Sequence, residues 1–194
     1  MTKKKNITGI ILAGGKSSRM GSDKGLLQLN EKTFIEHVIE AMKPLVNNII
    51  IVSDNTAYDK FGHERIADVM KDAGPLAGLY AGLNHSKTEH NLVLSCDVPL
   101  ISKSILKQLI ETDYQNYDVV QVESEGKTMP LIAVYNKHCM HTCWELLQIG
   151  ERRLRFAVNQ LNTKSVPIDQ KWSTQVKNVN TKEDLKEINH AIEH

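Results

Sequence analysis

Residues 12 to 27, LAGGKSSRMGSDKGLL, follow directly on an apolar, largely β-branched run that holds Ile7, Ile10, Ile11 and Leu12. A run of that kind bounded by glycine reads as a short buried strand, so the chain commits early to a strand that empties into a loop. Gly14, Gly15, Gly21 and Gly25 leave the main chain bare there, and Lys16, Arg19 and Lys24 bring positive charge to the same place. Glycine lets backbone N–H groups approach a ligand closely, and successive N–H groups form a concavity suited to an anion. A solvated surface loop explains glycines or cations singly. It does not explain their coincidence with a buried strand within residues 12 to 25, and the implied ligand is a phosphate chain.

Two common phosphate loops do not fit. A P-loop requires Gly, four spacers and then Gly-Lys-Ser/Thr; Gly15-Lys16-Ser17 supplies the end, but Ile10 stands where the first glycine belongs. A dinucleotide fingerprint requires Gly-x-Gly-x-x-Gly, and Gly14-Gly15 followed by Gly21 has the wrong spacing.

A chain of 194 residues suffices for one domain with a sizeable core. Its 24 Lys and Arg against 23 Asp and Glu give a formal net charge of +1, so no global field draws it to nucleic acid or membrane, and neither is an expected partner. The basic start, Met1 to Asn6, precedes an apolar run interrupted by Gly14, Gly15 and Lys16. That pattern does not read as a secretory leader, and no stretch approaches the roughly 20 apolar residues of a membrane span. Three cysteines, Cys96, Cys139 and Cys143, make no disulfide framework, and their odd number suits a reducing compartment. A cytoplasmic protein is expected.

Downstream of the loop, Phe34, Ile35, Val38, Ile39 and Met42 recur at helical spacing, with Thr33 as N-cap and Pro44 marking the end. Residues 49 to 52, Ile-Ile-Ile-Val, read as a strand buried on both faces. Ile66 and Ala67 form a weaker strand, and Asp72 to Gly78 a tight turn leading into a helix through Leu79 and Leu83. Leu92 to Leu94 form the next strand, closed by Cys96-Asp97-Val98-Pro99, and Ser102 caps a helix bearing Ile105, Leu106, Leu109 and Ile110. The second half is less regular: a hairpin of Val119 to Glu123 and Met129 to Tyr135, a helix from about Lys137 to Leu147 stopped by Gly150, another carrying Leu154, Val158 and Leu161, and a last helix over 182 to 192.

Strands alternating with helices predict an α/β fold with a mainly parallel sheet and helices on both faces. In open α/β sheets ligands lie beyond the carboxyl ends of the strands. Gly14, Ser53, Asp68 and Asp97 all follow such ends and should converge on one rim. Asp97, held between a buried strand and Pro99, is the candidate metal ligand. Mg²⁺ favours one or two carboxylates together with water and substrate phosphates.

These segments together resemble the molybdenum cofactor guanylyltransferases, the MobA-type family. The resemblance rests on LAGGKSSRMGSDK, Gly74-Pro75-Leu76-Ala77-Gly78, Cys96-Asp97-Val98-Pro99, Met129-Pro130-Leu131-Ile132-Ala133, Gly150-Glu151-Arg152-Arg153 and Asn178-Val179-Asn180-Thr181, and runs nearly end to end. It implies a Rossmann-like three-layer nucleotidyltransferase, one domain over residues 1–194, with a nucleotide-binding half (1–100) and an acceptor-binding half (101–194). The implied reaction joins GMP from GTP to the terminal phosphate of molybdopterin and releases pyrophosphate, with Mg²⁺ as cofactor. Molybdoenzymes and other cofactor-biosynthesis proteins are implied as possible partners.

Carried over by position, the resemblance places Leu12, Ala13, Gly14, Gly15, Lys16, Lys24, Ser53, Asp68 and Asp97 on GTP, although the family often has asparagine where Ser53 stands. It gives Arg19, Lys24 and Asp97 catalytic roles, Asp97 as metal ligand, and Gly78, Arg152, Asn178 and Asn180 to the acceptor side. Because the acceptor is itself an anionic phosphate, positioning and charge neutralisation should dominate, and no protein nucleophile is needed. The alternatives are a cytidylyltransferase, a sugar- or cofactor-phosphate nucleotidyltransferase, or a non-catalytic nucleotide-dependent molybdopterin carrier. The His138 to Cys143 cluster reads as helix core, with Cys139, Cys143 and Leu147 on one face, and no zinc is expected. Glu151 to Arg155 reads either as a solvated helix start or as a contact for the anionic acceptor.

Overall fold

A computed structural model describes residues 6–14, 23–70 and 73–193, with side chains through 189. In chain order it contains β1 (Ile7–Leu12), a ribbon of β2 (Gln28–Leu29) and β3 (Lys32–Thr33), α1 (Phe34–Met42), β4 (Asn48–Val52), β5 (Glu64–Ile66), α2 (Gly74–His85), β6 (His90–Ser95) and α3 (Lys103–Glu111). There follow β7 (Val119–Ser124), β8 (Lys127–Asn136), α4 (Cys139–Gln148), α5 (Leu154–Val158), β9 (Thr163–Pro167) and α6 (Lys182–Glu193).

Seven strands form one sheet in the order β5-β4-β1-β6-β8-β7-β9. Neighbours are parallel except β8, which runs antiparallel to both β6 and β7. The expected mainly parallel sheet is therefore present, with β1 an inner strand between β4 and β6, and the alternating direction of its side chains divides the core in two. Ile7 and Ile11 pack with α1 and α3 on one face; Ile10 and Leu12 pack with α2, α4 and α5 on the other. Each such side chain removed from water contributes roughly 1.5–3 kcal/mol, so register along β1 is strongly enforced: a slip by one residue would exchange the two faces. Three layers result.

Thr33 precedes α1 as expected, its backbone N–H and hydroxyl both donating to the Glu36 carboxylate. Those two bonds hold the Glu36 carboxyl below its ordinary value. Ser102 likewise caps α3 by accepting from the Ile105 N–H. Three expectations change in detail. Of the turn expected at Asp72 to Gly78, Asp72 lies outside the described residues, and the helix already begins at Gly74, so Pro75 to Gly78 are its first turn. α5 ends at Val158 and leaves Leu161 outside it. Residues 163 to 167, assigned to no element from the sequence, form the edge strand β9, parallel to β7.

α6 lies apart from these layers. Its Ile188 joins Val179 in a small apolar cluster with Leu29 of the ribbon and Phe34 of α1. The Asp184 carboxylate accepts the backbone N–H groups of Asn180 and Thr181, and the Thr181 hydroxyl accepts from Asp184 N–H in return. Segment 178–181 is thereby tied to the first half of the chain. Among the described residues no helix is long and apolar enough to cross a membrane.

Candidate active site

The carboxyl ends of β1, β4, β5 and β6 open onto a cavity of about 660 Å³. Leu12, Ala13, Gly14, Ser53, Asp68, Gly78 and Asp97 line it, together with Asp23, Asp54, Asn55, Pro75 and Leu131. The rim expected from the strand ends therefore forms. Gly15, Lys16 and Arg19 lie outside the described residues.

Lys24 and Asp97 meet at the edge of this cavity. Lys24 Nζ stands 3.8 Å from Asp97 Oδ2 and donates to the side-chain carbonyl of Asn180. The other carboxylate oxygen of Asp97, Oδ1, accepts from Asn178 Nδ2 at 2.7 Å, and its backbone carbonyl accepts from Val179 N–H at 2.8 Å. Asn178 and Asn180 thus hold the aspartate and the lysine, which the sequence reading did not foresee when it placed both on the acceptor. Gly78, also expected at the acceptor, lies on α2 and lines the first cavity, where an added Cβ would come into ordinary contact with Leu12 and Val52.

Asp23, Asp54, Asp68 and Asp97 bring four carboxylates to the lining. Burial raises the Asp68 carboxyl above its ordinary value, and the neighbouring Asp54 charge adds to the effect. The Ser53 hydroxyl accepts from Asn55 N–H at 3.2 Å, and the Ser53 carbonyl accepts from Arg65. Asn55 itself is committed to Asp23 through Nδ2 and to Ala57 N–H through Oδ1.

A second cavity of about 380 Å³ adjoins the first, sharing Pro75 and Leu131 with it. Val98, Thr128, Met129, Pro130, Ile132, Leu154 and Asn178 line it, with Arg153 and Arg155 at the same place. Arg152, the arginine expected here, instead donates its guanidinium to the carbonyls of Leu147 and Glu151, closing the end of α4. Arg155 donates to both the hydroxyl and the carbonyl of Thr128. Arg153 pairs with Glu151, and this bonding lowers the Glu151 carboxyl to about 2. The lining of each cavity draws on residues from both sides of position 100.

None of the three cysteines is set up as a nucleophile. Cys96, Cys139 and Cys143 are buried, and burial pushes each thiol up, that of Cys143 to about 12. Cys139, Cys143 and Leu147 share the core-facing side of α4, as their spacing predicts.

Residues 9–165 match the MobA-like NTP transferase domain. A Flavobacterium johnsoniae protein named "Probable molybdenum cofactor guanylyltransferase" is 37% identical over 183 residues, covering 94% of this chain and 96% of that protein. A molybdenum cofactor guanylyltransferase of Vibrio parahaemolyticus is 34% identical over 180 residues, 91% of each chain. In structure, molybdopterin-guanine dinucleotide biosynthesis protein A from Archaeoglobus fulgidus superposes with a TM-score of 0.82 at 24% identity, covering 96% of this chain and 98% of that one.

Proposed function

We propose that this chain, which belongs to the MobA-like NTP transferase family, transfers GMP from GTP to the terminal phosphate of molybdopterin and releases pyrophosphate. The observation that carries this reading is the pair of adjoining cavities with Asp97 and Asn178 at their seam: Asp97 lines the larger, Asn178 the smaller, and the two side chains are hydrogen-bonded. The larger cavity takes the nucleotide against Leu12, Ala13, Gly14 and Asp68. The smaller, mostly apolar cavity takes the pterin, with Arg153 and Arg155 beside its anionic groups. The acceptor phosphate then approaches the α-phosphorus of GTP at the seam.

A triphosphate cannot rest among four carboxylates without compensating cations. Lys24 supplies one, and its ammonium group is held in place by Asn180 and Asp97. Asp97 offers hard oxygen donors in the number that Mg²⁺ uses when substrate phosphates and water complete its shell. Bound Mg²⁺ would neutralise charge on the α-phosphate and the departing pyrophosphate. Lys24 binds the same phosphates, and Asn178 fixes the rotation of the Asp97 carboxylate. The acceptor phosphate is already anionic, so no side chain has to remove a proton from it, and catalysis comes from preorganised charge and alignment.

The decisive experiment measures pyrophosphate release from each of the four nucleoside triphosphates with purified molybdopterin and Mg²⁺. GTP should be the preferred donor, and release should require the acceptor. Faster turnover with CTP would overturn the guanine assignment, and nucleotide binding without pyrophosphate release would point to a carrier.

A further inference from the structure

Tyr58 is the largest fully buried side chain near the phosphate end of the first cavity, and the reaction as described gives it no task. It lies in the 3-10 turn Thr56–Phe61 that follows β4. Its hydroxyl donates to Asp23 Oδ1, an oxygen that also accepts the Gly25 N–H at 3.2 Å. Asp23 Oδ2 accepts from Asn55 Nδ2 at 3.0 Å. One carboxylate thus gathers three donors from two segments that are far apart in sequence, and Asp23 is also the N-cap of the 3-10 turn that begins with Lys24.

The packing is as specific as the hydrogen bonding. A Cβ at Gly25 would collide with the Tyr58 hydroxyl, so only glycine lets the strand of chain carrying Lys24 lie flat on that ring. Burial, reinforced by the hydrogen bond to Asp23, pushes the phenol above its ordinary value, in keeping with its role as the donor of that bond. The turn that carries Lys24 is held from below by Tyr58 and Asn55, while its ammonium group is held from the side by Asn180 and Asp97.

We propose that Tyr58, through its hydrogen bond to Asp23, is a positioning residue for Lys24, setting where that ammonium group meets the triphosphate. The proposal rests on the reading of Lys24 as a triphosphate-binding cation. Tyr58 touches no substrate in this scheme. It acts by denying the Lys24 turn the alternative positions in which the cation would sit away from the phosphates.

A double-mutant cycle on GTP affinity, by equilibrium titration of Tyr58→Phe, Lys24→Ala and the double variant, separates positioning from general loss of structure. Tyr58→Phe keeps the buried ring, so each thermal midpoint is recorded beside each affinity. The expected result is a loss of about tenfold or more in GTP affinity from Tyr58→Phe when Lys24 is present and less than twofold when it is absent. GMP, which lacks the β- and γ-phosphates, should bind both Lys24-containing proteins within twofold. An equal loss in both backgrounds, or no loss with Lys24 present, overturns the proposal. Unchanged GTP affinity in Lys24→Ala alone overturns the reading of Lys24 instead. If Tyr58→Phe fails to fold, Asn55→Ala, which removes another donor to the same carboxylate, is read in the same cycle with the same criteria.

Discussion

Asn178 donates to the carboxylate of Asp97 while its neighbour Val179 donates to the backbone carbonyl of the same residue, so one short segment grips the aspartate twice. That double grip leaves Asp97 little rotational freedom and turns its second oxygen toward Lys24 at 3.8 Å. A charge held still before the substrate arrives is worth more in the transition state than one that must be recruited.

Lys24→Ala and Asp97→Ala should each lower turnover by at least ~100-fold, by analogy with the loss of one preorganised charge-stabilising donor. Both proteins should retain the wild-type circular dichroism spectrum. Pyrophosphate release near the wild-type rate from either folded variant would remove that residue from the chemistry.

Chelation of divalent ions should abolish turnover without unfolding the chain, because the core on both faces of the sheet is built from apolar side chains. Adding back Mg²⁺ should restore activity in the wild type. In Asp97→Asn the concentration needed for half-restoration should rise by about tenfold or more, since a neutral amide is a poorer partner for a hard cation. Full activity in thorough excess of chelator would remove the cation from the scheme.

The two neighbouring arginines should separate cleanly. Arg152 closes the end of α4 on the Leu147 and Glu151 carbonyls, so Arg152→Ala should cost about 1 kcal/mol, roughly 2–4 °C in thermal midpoint for a chain of this size. Its KM for the acceptor should stay within twofold. Arg155 stands at the second cavity, and Arg155→Ala should raise that KM by about tenfold through loss of a charge-assisted contact, with the KM for GTP unchanged.

Asp68 carries a pH signature. Its folded value is raised by burial and by Asp54, so the ionised form is less stable in the folded protein than in the unfolded chain, and the stability it withholds grows as pH rises through that raised value. Asp68→Asn should therefore stabilise the ligand-free protein at neutral pH, and the advantage should vanish below the ordinary aspartate range. If the ionised carboxylate contacts the nucleotide, GTP affinity of the wild type should fall on acidification at a pH above that ordinary range, and the Asn variant should lack this fall. Thermal melts and GTP titrations across pH test the two halves separately.

The part of the site legible in the sequence was the part written locally. β1 and the glycines after it, the acids following β5 and β6, and the helix periodicity of α1 and α3 depend on near neighbours, and each has a recognisable pattern. Asp23 drew no assignment from the sequence, because its partner Tyr58 is 35 positions away. Asn178 and Asn180 gave no sign that they would hold Asp97 and Lys24, 81 and 156 positions distant. β9 escaped because an edge strand pairs on one side only; its residues are half-buried or exposed and it ends in Pro167, so the apolar alternation that marks an inner strand is missing. Arg152 was placed at the acceptor by its position in the resemblance, and the direction of a guanidinium is not visible in a sequence.

The return of segment 178–180 to the exit of β1 has a consequence for how the protein comes into being. A nascent chain can complete β1, β4 and β6 while still attached to the ribosome, yet Asp97 acquires its asparagine partner only once residue 178 has emerged, and Lys24 only once residue 180 has. Every shorter intermediate therefore lacks Asn180's hold on Lys24, and one that ends before residue 178 lacks Asn178's hold on Asp97 as well.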